Sequence, residues 1–96
     1  MRETEVQGEI VNKLRSSGWF VTITSQTKST QRQMSGFPDL VAFRDNITLL
    51  IECKGEGGKL RESQTKFVDR IHEHLGDHLF YIEAWHPLQL PRWVYE

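Results

Sequence analysis

The sequence predicts an α/β fold, a small mixed sheet flanked by helices with its elements in the order αβββαβ. Three observations carry that reading. Residues 3–14 and 63–75 repeat apolar side chains at helical spacing. Short β-branched and aromatic runs lie at residues 19–24, 39–44, 47–54 and 79–84. Turn-forming residues separate these runs, among them Asp45-Asn46 between the second and third.

In the first helix Val6, Ile10 and Leu14 recur at i, i+4 and i+8, and Gly18 ends the run. The stretch 25–36, SQTKSTQRQMSG, is almost wholly polar and carries Lys28 and Arg32 but no acid. It reads as a loop long enough to have a role of its own. Asp45-Asn46 suggests a two-residue hairpin turn. Residues 55–58 form a further turn, and Gly76 is expected to close the second helix. The tail sets Trp85, Trp93 and Tyr95 among Pro87 and Pro91 and fits no regular element. There is no repeat, heptad run or linker, so residues 1–96 are expected to form one domain.

Composition narrows the function. A hydrophobic fraction of 38% with 26% charged residues belongs to a folding chain, not a disordered one. The single cysteine, Cys53, excludes an intrachain disulfide framework and a multi-cysteine zinc site. It suits a reducing, cytoplasmic setting. No apolar run approaches a membrane span, and the polar, acidic start is no signal peptide. A net charge of −1 argues against coating nucleic acid by bulk charge. It remains compatible with an acidic site beside a basic approach, because the only charged residues between Phe20 and Pro38 are Lys28 and Arg32.

With Asp45 and Asn46 as the turn, Asp39 lies opposite Glu52 on one sheet face, their Cβ atoms ~4.5–5.5 Å apart. Two carboxylates that close repel unless a cation or proton sits between them. Lys54, two residues beyond Glu52, projects from the same face. The bland alternative is a surface salt-bridge cluster. Against it, Leu49-Leu50-Ile51 runs straight into Glu52, as in a central strand covered on both faces. On the helices, Glu3 falls on the stripe of Val6, Ile10 and Leu14, and Gln64 on that of Phe67, Val68, Ile71 and Leu75. Both could simply be first-turn residues at solvent, where an acid favours the helix dipole. Alternatively both point into a polar pocket beside Asp39 and Glu52. The candidate set is then Glu3, Asp39, Glu52, Lys54 and Gln64. Such oxygen ligands suit Mg²⁺ or Mn²⁺, and Lys54 can stabilise a phosphoryl group or orient an attacking water.

Other signals weigh less. His72, Glu73 and His74 cannot share a helix face and read as solvent-exposed. GEGGKL at 55–60 lacks the spacing of a phosphate loop. Cys53 faces away from Glu52 and Lys54 and reads as a small buried hydrophobe. Trp85 and Trp93 could stack bases, but packing in the core or against a second subunit is the stronger reading.

Gly36-Phe37-Pro38-Asp39, Ile51-Glu52-Cys53-Lys54 and Gln64, in that order, resemble the PD-(D/E)xK nuclease superfamily. More narrowly they resemble the virus-type replication-repair nuclease (VRR-NUC) domain, over roughly residues 3–84. The resemblance implies a restriction-endonuclease-like αβββαβ core and a Mg²⁺- or Mn²⁺-dependent DNA endonuclease. Asp39, Glu52 and the backbone carbonyl of Cys53 would hold the metal, with Glu3, or Gln7 one turn on, as the group from the first helix. Lys54 would serve the nucleophile, and Glu3 and Gln64 would complete the site. Cys53 replaces the valine often found between Glu and Lys, a change between small apolar residues. Lys28, Arg32, Ser35, Lys59 and Arg61 would touch DNA. Stand-alone relatives imply a homodimer acting on four-way (Holliday) or other branched junctions, and a bacterial or phage source. A flap or nicking nuclease and a non-catalytic DNA-binding module on the same scaffold stay open as alternatives.

Overall fold

The computed structural model describes residues 1–24 and 36–96. Helix α1 (Glu3–Ser16) is followed by strands β1 (Phe20–Ile23), β2 (Leu40–Arg44) and β3 (Ile47–Cys53). Helix α2 (Glu62–Ile71) and strand β4 (Leu79–Ala84) come next, then 3₁₀ turns at Pro87–Gln89 and Arg92–Tyr95. Among the described residues one sheet forms, in the order β1-β2-β3-β4. The first two pairings are antiparallel and β3–β4 is parallel. A parallel pair needs a crossover, and α2 is part of it. The predicted α/β class and mixed sheet are what the structure shows.

α1 ends where the sequence places its stop. Gly18 has φ +88°. Its N–H donates to Arg15 O (3.2 Å), and the Trp19 N–H donates to Leu14 O (3.0 Å). That pair of bonds is the Schellman closure, and glycine supplies the left-handed residue it needs. The helix lays Val6, Ile10, Val11 and Leu14, all buried, against Leu40, Ala42, Leu49, Ile51 and Cys53 of the sheet. The other sheet face carries Glu52, toward α2.

The unassigned tail turns out to complete this core. Leu90 and Val94 are buried in it. The Trp19 indole N–H donates to Val94 O (2.7 Å), and Trp93 packs edge-on against Phe80. The Arg44 guanidinium stacks over the Trp19 ring, 4.4 Å from its centroid. At the open edge of the sheet the Arg15 side chain reaches the Val21 carbonyl (3.3 Å), which blunts that edge.

Two boundaries differ from expectation. α2 ends at Ile71 rather than residue 75, because the chain tightens into a turn closed by His74 N–H to Ile71 O (2.8 Å). Gly76 is not among the residues with positive φ, so it does not close the helix as a left-handed cap. The 25–36 loop, apart from Gly36, lies outside the described residues, and with it Lys28, Arg32 and Ser35.

Candidate active site

The β2–β3 hairpin sets the site. Asp45 and Asn46 both have positive φ (51° and 67°), as a type I′ turn requires. The resulting register pairs Leu40 with Ile51, and one step further brings Asp39 beside Glu52. Asp39 Oδ2 accepts the Cys53 N–H at 3.0 Å, which ties the carboxylate to the end of β3. Lys54 continues the strand direction, its N–H donating to Ala84 O (2.9 Å).

Three side chains then form a closed network. Glu52 and Lys54 are only 1% and 4% exposed. Lys54 Nζ lies 3.5 Å from Glu52 Oε2 and donates to Gln64 Oε1 at 3.0 Å. Gln64 Nε2 donates to the same Glu52 oxygen at 2.8 Å. Gln64 Oε1 also accepts the Arg61 N–H at 2.7 Å, so the amide is fixed in one orientation by two donors and one acceptor.

The electrostatics are those of a site short of positive charge. Burial first, and the nearby Asp39 carboxylate second, push the Glu52 carboxyl from 4.5 up to about 8. Lys54 pulls the other way without prevailing. A divalent cation would relieve that repulsion, so the donor set fits a hard metal ion that keeps several waters. Burial and the charges of Asp39, Glu52 and Glu3 hold the Cys53 thiol protonated, which agrees with an inert hydrophobe.

Backbone contacts hold the helices to this centre. Gly36 has φ +86°, and a side chain there would overlap the Ser63 carbonyl. The segment before Asp39 thus lies directly on the first turn of α2, and Phe37 adds an edge-on contact with Phe67 (5.3 Å). A Cβ on Gly55 would lie 2.6 Å from Glu3 N, so the start of α1 seats on the turn after Lys54.

Of the sequence-predicted residues, the structure gathers Asp39, Glu52, Lys54 and Gln64. Glu3 is exposed at the first position of α1, where its backbone seats on the Gly55 turn and its charge acts on Cys53. Among the described residues no three His, Cys, Asp or Glu side chains form a metal-binding group. Lys59 and Arg61 are exposed between the Lys54 turn and Gln64. His72, Glu73 and His74 are exposed, as the helical geometry implies.

Sequence reasoning missed Tyr81 and Glu83. Glu83 pairs with Glu52 across the parallel β3–β4 ladder. Tyr81 donates its hydroxyl to Glu83 Oε2 (3.2 Å), and burial together with Glu83, Glu52 and Asp39 keeps that phenol protonated. The signal was the two-residue spacing of Tyr81 and Glu83 on a strand, but the parallel register that sets them beside Glu52 is not written locally.

No helix among the described residues is long and apolar enough to cross a membrane. No curated protein and no solved structure matches the chain. The family model for the VRR-NUC domain matches residues 1–81, which takes in both strands of the hairpin and all of α2. The chain therefore belongs to the VRR-NUC domain family, a family of nucleases.

Proposed function

We propose that the protein is a Mg²⁺- or Mn²⁺-dependent DNA endonuclease that cuts branched substrates, four-way junctions foremost, as a homodimer. The observation that carries this reading is the buried Glu52–Lys54–Gln64 network facing Asp39. A binding module has no need to hold a carboxylate pushed up to about 8 beside a buried ammonium.

Asp39, Glu52 and the Cys53 carbonyl would hold the cation. When bound, it acidifies a water and shields charge on the phosphoryl oxygens. The remaining work falls to the chain. Lys54 presents N–H donors from a dry pocket, where a hydrogen bond to the attacking water or to a developing phosphoryl charge is strong. Gln64 takes one of those donors and so fixes where the ammonium points. Exposed Lys59 and Arg61 offer phosphate contacts beside the site. Recognition would then rest on backbone and branch shape rather than on base edges. Each chain carries one such site, and two strands of a junction call for two chains. The free Cys53 thiol goes with a reducing, intracellular setting.

The test is cleavage of labelled four-way junction, flap and linear duplex with Mg²⁺ or Mn²⁺, alongside Asp39→Ala and Lys54→Ala. Metal-dependent junction cutting that falls by roughly 10²-fold or more in both variants is expected. Binding without cutting by the wild type rejects the enzyme. Equal cutting of linear duplex rejects the junction preference, and a preferred flap points to a flap nuclease. Light scattering decides the dimer.

A further inference from the structure

We infer that Trp85, beyond the stretch matched by the family, is a positioning residue that sets the direction of Lys54. The inference rests on the catalytic reading of Lys54 given above.

The geometry runs through Gly58. After β3 the chain makes a turn closed by Gly58 N–H to Gly55 O (2.9 Å). This turn folds back on the lysine: a Cβ on Gly58 would lie 3.4 Å from Lys54 Cβ and 3.0 Å from Gly55 O. Gly58 therefore packs beside the root of the Lys54 side chain, where it narrows the rotamers open to the carbons beyond Cβ. The turn is pinned from outside, because the Trp85 indole N–H donates to Gly58 O at 2.8 Å.

Trp85 is well placed to hold it. It follows Ala84, the last residue of β4, whose carbonyl accepts the Lys54 N–H. The residues after it are tied down in turn, with the His86 N–H donating to Gln89 Oε1 (3.0 Å) and His86 Nδ1 accepting the Leu88 N–H (3.1 Å). Lys54 is thus fixed at three levels. The backbone is held by β4, the root of the side chain is flanked by the Gly58 turn, and the ammonium is held by Gln64 and Glu52. Only the second level depends on a side chain in the tail. An indole supplies both the reach and the single donor that the carbonyl needs.

The test compares Trp85→Phe, Gly58→Ala and Trp19→Phe in the full chain. Trp85→Phe removes the donor but keeps a ring, and Gly58→Ala sets a methyl beside Lys54 Cβ with Trp85 in place. Trp19→Phe removes a comparable indole bond, to Val94, away from Lys54. Trp85→Phe and Gly58→Ala are each expected to lower kcat about tenfold or more with KM for DNA within about twofold. In both, the side-chain NMR signal of Lys54 should move. Trp19→Phe should lower Tm while kcat and that signal stay put. Combining Trp85→Phe with Lys54→Ala should cut no worse than Lys54→Ala alone.

Wild-type kcat and an unmoved Lys54 signal in Trp85→Phe overturn the inference whatever Gly58→Ala does, as do losses that multiply with Lys54→Ala. If Trp85→Phe fails to fold, Trp85→Tyr, which also removes the indole donor, decides in its place. If the wild type does not cut DNA, the functional reading fails, while the Lys54 signal still decides whether Trp85 positions it.

Discussion

The two helices carry the same sequence pattern and are held in opposite ways. In α1 the apolar stripe of Val6, Ile10 and Leu14 is wholly buried. In α2 the matching stripe of Phe67, Val68 and Ile71 stays half-exposed, and the one buried residue of the helix is Gln64. α1 is thus anchored by the hydrophobic effect along its length. α2 is anchored at its first turn by an amide, a carboxylate, an ammonium and the close approach of Gly36. One helix belongs to the core, and the other to the polar network of Glu52, Lys54 and Gln64. Apolar periodicity reports which face turns inward but not how much chain lies on top of it.

That contrast can be broken first in the core. Ile10→Ala should cost about 2–5 kcal/mol in urea unfolding, against about 1 kcal/mol for Phe67→Ala. Equal losses would mean that α2 is packed as deeply as α1. Next comes the anchor itself. Gln64→Ala leaves a buried carboxylate and ammonium each short of a partner, so cleavage should fall about 10²-fold with a stability loss of about 1–3 kcal/mol. Retained cleavage would remove Gln64 from the site. Gly36→Ala forces a side chain into the Ser63 backbone at a positive φ, and should cost about 1–2 kcal/mol while slowing cleavage. A neutral result would show that the first turn of α2 can move away from Asp39 without penalty.

A further effect is electrostatic. The folded Glu52 carboxyl lies at about 8, above its ordinary 4.5, so the folded state keeps a proton that the unfolded state releases. Metal-free stability from this group is full below about pH 4.5 and is lost as pH climbs to about 8. Urea midpoints in chelator should decline over that range, and Glu52→Gln should flatten the decline. Added Mg²⁺ should restore stability most at the alkaline end. A decline that survives Glu52→Gln assigns it to another group.

Much of the site was legible because its spacing is local. The hairpin turn fixes which residue faces Glu52, and two-residue alternation puts Lys54 on the same side. Gln64 followed from a helical wheel. The contributions that were not legible are all long-range. Nothing in residues 85–96 says that they close the core over Trp19 or that Trp85 reaches Gly58. The placement of Glu83 beside Glu52 depends on how a strand registers after a crossover. Glu3 shares the wheel angle of Gln64, yet it is exposed at the first position of α1 where Gln64 is buried in α2.

The turn at Asp45 and Asn46 has a consequence for how this chain can vary. Both residues tolerate exchange for others that accept positive φ, glycine above all. Their number does not. Inserting or deleting a single residue there would step the pairing of β2 against β3 by one and carry Asp39 away from Glu52. Drift in this hairpin can rewrite its letters more freely than its length.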